Sequence, residues 1–314
     1  MEDFSRKIYQ ILEKSCNLSE SQLIALSGGL DSSILAHYIK KRESKGIAII
    51  SEDFVSTDLT YCQIISKVTK IPLTIHNVTT SEILEAVEST IKILKNFNDI
   101  EIRNNVVMYL AIKWAKENDY KSIITGDGAD ELFAGYNFLV NKPENELDSE
   151  IKRVCSIMHF PSQKIGEELK IKVESPFLED ELIKIAKEIP SNLKIKEEKE
   201  TRFGKWILRK TFENYLPPQI VWRKKSPMQD GAGTVGLTNL FESIINEEKF
   251  VEKKLTVKKH DDVVIRTRES MYYYEIFKKM YGTPVDKNAK TQCPYCKHEV
   301  MGSKFCRMCG AFPI

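Results

Sequence analysis

Short apolar runs alternate with helical apolar spacing along the first 140 residues of the chain. Four runs predict β-strands at residues 23–26, 46–50, 73–76 and 122–125. The stretches between these runs have apolar residues at helical spacing, and they predict helices at residues 32–41, 60–69, 81–94 and 104–117. Because strands that alternate with helices pair in parallel, the pattern predicts an α/β fold with a doubly wound parallel sheet.

The rest of the chain shows helical spacing, one polar interruption and a short separate end. Ile8, Ile11 and Leu12 predict an N-terminal helix, and apolar residues beyond Glu179 recur mostly at helical spacing. Residues 283–290 lack periodicity and predict a linker. The predicted organisation is an N-terminal helix at 1–19, a main domain with a helical second half at 20–282, a linker at 283–290 and a small cysteine-containing knuckle at 291–314.

Charge and hydropathy narrow the classes of protein that fit this pattern. The 47 basic and 45 acidic side chains give a formal net charge of +2, so no global field favours nucleic acid or an anionic membrane. No apolar run approaches the roughly 20 residues of a membrane span, and the first residues lack the regions of a signal peptide. We therefore expect a cytoplasmic protein without a membrane partner.

Four cysteines near the C-terminus form two close pairs. Two pairs at this spacing are typical of a structural zinc site, whereas a lone pair would also fit redox chemistry. The predicted zinc ligands are Cys293, Cys296, Cys306 and Cys309. His298 lies between the pairs and is predicted to be exposed, because four thiolates already complete the zinc shell. Nearby basic side chains fit either contact with RNA or an acidic partner, or an ordinary solvated rim.

A glycine turn follows the first predicted strand and leads into a predicted helix. Glycines let the backbone approach a ligand, and the helix N-terminus and serine hydroxyls add hydrogen-bond donors, so this turn predicts a phosphate site. An acidic side chain within the turn is a candidate magnesium ligand. The alternative is a merely flexible turn. The residues of the turn are Ser27, Gly28, Gly29, Leu30, Asp31, Ser32 and Ser33.

A second turn, rich in acidic residues, follows the fourth predicted strand. Gly126, Asp127, Asp130 and Glu131 should lie at the same carboxyl edge of the sheet as the first turn, where open α/β sheets bind ligands. Carboxylates on a tight turn repel one another unless a cation or a charged substrate lies among them. The alternative is an acidic, solvated helix N-terminus.

Together these two turns resemble those of asparagine synthetases, which belong to the enzymes that split ATP between its α and β phosphates. The resemblance implies an adenine nucleotide alpha hydrolase-like fold with ATP and Mg²⁺ as cofactors. It places ATP at residues 27–33 and Gly126, and magnesium pyrophosphate at Asp31 and Asp130. Asp127 stands where the family usually has a glutamate that assists amine attack, and it is one methylene shorter.

Two further segments resemble the same family. Residues 102–110 match a helix in which the position of Arg103 is associated with substrate binding. Residues 221–233 join a basic cluster to a glycine-rich loop, and the match places at Lys225 the lysine that contacts the ATP phosphates. The resemblance thus implies a catalytic set of Asp127, Lys225 and Arg103.

Other positions depart from the family. Glu174 and Glu179 stand where the family usually has arginine and aspartate, in the part of the fold associated with the acceptor substrate. Residue 2 is Glu2 rather than the cysteine nucleophile of a glutaminase domain, and only about 25 residues precede the phosphate loop. We therefore expect that this chain does not hydrolyse glutamine in the family's way. Ammonia would come free or from a separate glutaminase subunit.

The resemblance implies an AMP-forming amide ligase. A carboxylate, with L-aspartate as one candidate, would form an acyl adenylate that ammonia or another amine attacks. The alternative is a tRNA-modifying enzyme of the same nucleotide-binding group, in which the zinc knuckle binds RNA. Small-molecule carboxylates and amines are the favoured partners, nucleic acid is less favoured, and a homodimer is left open.

Overall fold

A five-stranded sheet forms the centre of the fold in this computed structural model. The structure describes residues 1–40, 43–198, 200–224, 231–233, 236–286, 288–300 and 302–314. The strands lie in the order β3-β2-β1-β4-β5. Parallel pairs join β1 to β2, β1 to β4 and β4 to β5. The strands are β1 (Leu23–Ala25), β2 (Lys45–Ser51), β3 (Leu73–Val78), β4 (Ser122–Ile124) and β5 (Lys172–Glu174).

Helices connect and follow these strands. The first half contains α1 (Glu2–Leu18), α2 (Leu30–Ile39), α3 (Asp58–Thr69), α4 (Thr80–Leu94), α5 (Asp99–Glu117), α6 (Ala129–Leu132), α7 (Asn137–Val140) and α8 (Glu144–Ser156). The second half contains α9 (Pro161–Leu169), a 3₁₀ turn (Pro176–Leu178), α10 (Asp180–Glu188), α11 (Ser191–Lys194), α12 (Trp206–Phe212), α13 (Pro218–Val221), α14 (Gly236–Ile244), α15 (Glu247–Asp261) and α16 (Arg268–Tyr281). An antiparallel hairpin of β6 (Lys196–Glu198) and β7 (Thr201–Phe203) lies between α11 and α12.

The chain divides into two compact units. The first unit comprises Met1–Ile50, Thr57–His76 and Ala111–Pro227, and the second comprises Ser51–Ser56, Asn77–Leu110 and Met228–Ile314. In the first unit, α1 buries Ile8, Leu12 and Cys16 in the same apolar core as β1, α2 and α12. Burial of this apolar stripe is the main stabilisation of an amphipathic helix.

The predicted fold class is confirmed. All four predicted strands and the four helices between them are present, and the second half is mainly helical. In the described residues no helix is both long enough and apolar enough to span a membrane. The division into an N-terminal helix, a main domain, a linker and a zinc knuckle stays a prediction, because each of the two compact units combines several separate segments of the chain.

Some element boundaries differ from the predicted ones. Helix α2 begins at Leu30 rather than near Ser32, and α5 begins at Asp99 rather than at Asn104. The predicted start at Asn104 would place Arg103 just before the helix, which is wrong, because Arg103 is in the second turn of α5. The side-chain oxygen of Asn98 accepts a hydrogen bond from the backbone N–H of Glu101 at 3.3 Å, which caps the helix five residues before Arg103.

Candidate active site

The predicted phosphate turn is a tight loop between β1 and α2. Gly28 has a φ of 67°, in the left-handed region that favours glycine. A Cβ at this position would lie 2.4 Å from the backbone carbonyl carbon of Tyr61 and 2.5 Å from the nitrogen of Cys62. The loop can therefore pack directly against the backbone of α3 only because residue 28 has no side chain.

Serine hydroxyls line the same loop. The Ser27 hydroxyl lies 3.3 Å from the Ser32 hydroxyl and accepts a hydrogen bond from the backbone N–H of Gly29. Ser33 is fully buried, and its hydroxyl has no hydrogen-bond partner among the described residues. A helix N-terminus with adjacent hydroxyl donors is a general anion site.

The acidic turn meets the phosphate loop at the carboxyl edge of the sheet. A Cβ on Gly126 would lie 3.0 Å from the Cβ of Asp31, so the backbone of the acidic turn packs against the Asp31 side chain of the phosphate loop. Gly128 has a φ of 96° and lets the chain turn sharply into α6. Asp130 lies in the first turn of that helix. Two carboxylates from different loops are thereby brought into one site.

A buried lysine binds both of these carboxylates. The Lys205 ammonium lies 2.6 Å from Oδ2 of Asp31 and 2.7 Å from Oδ1 of Asp130, and its side chain is only 3% exposed. The Lys205 backbone has a φ of 54°, and its N–H donates to the carbonyl of Phe133 at 3.0 Å. A Cβ on Gly135 would lie 2.0 Å from Oδ1 of Asp130, so glycine is needed beside the pair.

The geometry fits a divalent cation at the two aspartates. Oδ1 of Asp31 is buried and has no hydrogen-bond partner among the described residues. A buried carboxylate oxygen without a donor is costly unless a cation or a ligand satisfies it. Carboxylate oxygens are also the ligands that Mg²⁺ prefers. Asp31 and Asp130 therefore have the chemistry and the position that a magnesium site requires.

Asp127 faces a different set of groups. Its Oδ2 accepts hydrogen bonds from the hydroxyl of Ser162 at 2.5 Å and from that of Thr125 at 2.8 Å. Ser175 continues this network through the Thr125 hydroxyl at 2.9 Å. Burial raises the pKa of Asp127, the two hydroxyl donors lower it, and the nearby carboxylates of Asp130 and Asp31 raise it further. The base role of Asp127 stays a prediction.

Two arginines hold the chain that leads toward Lys225. Arg209 is buried and donates to the carbonyls of Gly204, Val221 and Arg223. Burial lowers the pKa of the Arg209 guanidinium to about 10. The Arg223 guanidinium pairs with Asp58 at 2.7 Å and lies 3.8 Å from the ring centre of Tyr61. These contacts bring residues 221–223 beside the phosphate loop, while Lys225 itself lies outside the described residues.

Arg103 belongs to a buried ion pair in the second unit. Its Nε and Nη2 donate to the two carboxylate oxygens of Glu269 at 2.9 and 2.8 Å, with side-chain exposures of 13% and 3%. The Tyr273 hydroxyl donates to the same carboxylate at 2.8 Å. Burial raises the pKa of Glu269, and the Arg103 charge lowers it. The substrate role of Arg103 stays a prediction.

The four predicted zinc ligands converge in the second unit. All four are buried, and their sulfur atoms lie within 4.8 Å of one another. The Cys293 and Cys309 sulfurs are 3.8 Å apart, and the Cys296 and Cys306 sulfurs are 3.6 Å apart. Four thiolates at the Zn–S distance of about 2.3 Å form a tetrahedron with edges of about 3.8 Å, so the cluster fits one zinc ion.

Lys205 and Arg209 were not predicted from the sequence as site residues. Lys205 lies 174 positions from Asp31, and no local pattern links the two. One signal was present, since Lys205 occupies the N-cap of α12, where its side chain can neither cap the helix nor complement the dipole. A lysine at such a position needs another reason to be there.

Comparison with known proteins agrees with this geometry. The sequence model of the asparagine synthase family matches residues 19–157 and 158–301. A probable glutamine-hydrolyzing asparagine synthetase of Dictyostelium discoideum is 27% identical over 289 residues, which cover 82% of this chain and 51% of that protein. Asparagine synthetase 1 of Saccharomyces cerevisiae is 30% identical over 195 residues, which cover 57% of this chain and 34% of that protein.

Among solved structures, NMN synthetase from Francisella tularensis is 16% identical to this chain, with a TM-score of 0.30. The alignment covers 60% of this chain and 92% of the NMN synthetase chain. The present chain spans about half the length, or less, of the two curated relatives described above. Its parallel sheet and strand–turn–helix loop are those expected for an adenine nucleotide alpha hydrolase-like fold. Because the family model covers most of the sequence, the chain belongs to the asparagine synthase family.

Proposed function

We propose that this chain is an ATP-dependent ligase that produces AMP and pyrophosphate. A substrate carboxylate attacks the α-phosphate of ATP to give an acyl adenylate, and ammonia or another amine then displaces AMP to form an amide. The observation that carries the proposal is the joint binding of Lys205 by Asp31 and Asp130, beside the phosphate loop.

The residues around this cluster have complementary charges. Backbone N–H groups of the loop and the N-terminus of α2 bind phosphate oxygens, and Lys205 balances part of the acidic charge. Asp31 and Asp130 would hold magnesium, which when bound neutralises the departing pyrophosphate. Arg209 contributes a further positive charge and keeps residues 221–223 in place. Lys225 is the proposed contact for the ATP phosphates.

The acceptor site is proposed at the carboxyl ends of β4 and β5. Asp127, Ser162 and Ser175 lie there in one hydrogen-bond network. Glu174 ends β5 and is largely buried; its Oε1 lacks a hydrogen bond in the described part of the chain and lies 3.5 Å from the exposed ammonium of Lys172. An acidic group at this point disfavours binding of a second substrate carboxylate, so we propose an acceptor other than L-aspartate.

A product assay tests the reaction type. The protein is incubated with ATP, magnesium and ammonium, and a panel of carboxylic acids that includes aspartate is screened by mass spectrometry. We expect equal amounts of AMP, pyrophosphate and one amide. Formation of ADP and phosphate would refute the proposal, and an amide formed only from aspartate would refute the proposed acceptor.

Substitutions test the site within the same assay. Asp31→Asn and Asp130→Asn each remove a proposed magnesium ligand, and we expect a loss of AMP formation of at least about a hundredfold. Asp119→Asn is the matched control, since Asp119 is exposed and its positive φ of 62° suits asparagine equally well. Activity that survives in both site variants would contradict the assignment.

We also propose that the four clustered cysteines hold one zinc ion. The sulfur separations and their burial support this assignment. Metal analysis of the purified protein should give one zinc per chain, and Cys306→Ser should lower this content, whereas Cys62→Ser, at a buried cysteine elsewhere, should not. A wild-type protein that binds no zinc under reducing conditions would refute the proposal.

A further inference from the structure

The second cysteine pair is hydrogen-bonded to the loop before α5. The backbone carbonyl of Met308 accepts a hydrogen bond from the backbone N–H of Phe97 at 3.0 Å. Gly310 has a φ of 72°, and a Cβ there would lie 2.6 Å from the side-chain oxygen of Asn98. The knuckle backbone therefore contacts residues 97 and 98 without space between them.

This loop determines where α5 begins. Asn98 is buried, its side chain caps the N–H of Glu101, and its backbone carbonyl accepts from Ile102 at 2.9 Å. Asn96 accepts a hydrogen bond from the N–H of Asn98 at 3.2 Å. Phe97 is buried against Tyr274 of α16, with ring centres 5.1 Å apart. The first turn of α5 thus depends on the position of residues 96–98.

Arg266 connects the same cysteine pair to the start of α16. Its Nη2 donates to the carbonyl of Cys309 at 2.9 Å, and its guanidinium lies 3.9 Å from the carboxylate of Asp99. Asp99 also accepts a hydrogen bond from the Ser270 hydroxyl at 2.9 Å. One turn farther along α5, Arg103 pairs with Glu269, which directly precedes Ser270 in α16. The knuckle, the α5 cap and the Arg103 pair therefore form one continuous set of contacts.

We propose that zinc in the cysteine knuckle fixes the junction of α5 and α16, and through it the position of Arg103. The inference rests on the zinc site proposed above and does not depend on the ligase reaction. Four cysteines in so short a segment are held together by their metal, because zinc binding supplies much of the folding free energy of such a small module. When the metal leaves, the carbonyls of Met308 and Cys309 lose their fixed positions, and Phe97, Asn98 and Arg266 lose their partners.

Because coupling between sites is reciprocal, the α5 junction must also affect zinc. Removing the Arg266 contact should weaken zinc binding, although Arg266 is not a zinc ligand. The size of the effect should be about tenfold, which is the lower end of the equilibrium factor for the loss of one hydrogen bond from a charged donor. Arg266 acts in this scheme as a positioning residue.

Hydrogen exchange measures the effect of zinc on the junction of α5 and α16. Zinc content is measured first in the wild-type protein, before and after a chelator, and amide exchange is then compared by mass spectrometry. We expect peptides that cover residues 97–104 to exchange roughly tenfold faster without zinc, in addition to the knuckle itself. Peptides that cover β4 serve as the reference and should not change.

Competition with a chromogenic zinc chelator measures the converse effect, that of the α5 junction on the affinity for zinc. Arg266→Gln should weaken zinc binding, and Arg268→Gln is the matched control because the Arg268 guanidinium donates to Glu247 and to the carbonyl of Glu242. Absence of zinc in the wild-type protein would refute the proposed zinc site itself, and with it this inference. Bound zinc with unchanged exchange at 97–104, or faster exchange throughout the chain including β4, would overturn the coupling.

Discussion

At the scale of single residues, the site depends on one ammonium group between two carboxylates. Lys205 is almost fully buried and compensates Asp31 and Asp130, which come from different loops. Desolvation of such a cluster is costly, and its stability depends on every partner being present. The lysine therefore offsets part of the negative charge of the two aspartates.

We predict that Lys205→Met destabilises the protein and that magnesium compensates in part. Removal of one partner from a buried ion pair costs about 3 kcal/mol, so the free energy of unfolding in urea should fall by that order. Millimolar magnesium should restore part of the loss, because the cation replaces the missing charge.

Lys210→Met is the control for this prediction. Lys210 pairs with Glu213 in a partly exposed position, where an ion pair contributes less than about 1 kcal/mol. Equal losses in the two variants, or no response of Lys205→Met to magnesium, would contradict this account of the cluster.

Asp127 should give the protein a measurable pH dependence. Burial raises its pKa above the ordinary 3.8, so just above that pH the unfolded chain releases a proton that the folded chain keeps. The free energy of unfolding should then fall as the pH rises from 3.8 toward the folded pKa. We expect Asp127→Asn to remove this fall, as measured by urea unfolding at successive pH values.

Asp53→Asn provides a control of opposite sign. Hydrogen bonds from Thr80 lower the pKa of Asp53, so its contribution to stability is present above pH 3.8 and is lost as the pH falls through the folded pKa. If the free energy of unfolding changed with pH above 3.8 by the same amount in the wild type and in Asp127→Asn, the raised pKa of Asp127 would be excluded.

At the scale of elements, the turns after β1 and β4 place the site, and glycines decide how closely they pack. We predict that Gly28→Ala destabilises the protein by more than about 2 kcal/mol, since a positive φ and a clash with the Tyr61 backbone add together. The control is Gly302→Ala: Gly302 has nearly the same φ, 68°, and among the described residues no atom beyond its chain neighbours lies within 4 Å of the added Cβ. Gly302→Ala should therefore lower the stability in thermal unfolding by only about 1 kcal/mol, which is the cost of backbone strain. Equal losses of stability in the two variants would rule out the clash at Gly28.

The elements differ in how far the sequence predicted them. Strands β1 to β4 carry apolar runs bounded by turns, which is the pattern of a buried parallel strand. Strand β5 was missed because Val173 is its only apolar residue and charged residues flank it. The start of α5 was misplaced although Asn98 and Asp99 are cap residues, because the apolar spacing was given more weight than the cap.

The site was predicted where its residues form strings and missed where it depends on contacts across the chain. The loop at 27–33 and the acidic turn each appear as one continuous segment. The Asp31–Lys205 and Arg103–Glu269 pairs join positions 174 and 166 residues apart. No periodicity or propensity contains such information, so only the folded chain reveals these pairs.

At the scale of the whole molecule, the charge balance bears on the nucleic-acid alternative. The net charge of +2 offers no general attraction to a polyanion, although Lys304 and Arg307 are exposed on the cysteine knuckle. We predict that RNA binds no more tightly than about 10⁻⁶ M at physiological salt, the range of non-specific contact. Filter binding with a tRNA pool over a series of salt concentrations measures this affinity. A nanomolar complex with a steep salt dependence, weakened in Lys304→Gln and Arg307→Gln but not in Lys70→Gln, would instead favour the tRNA-modifying function over the ligase.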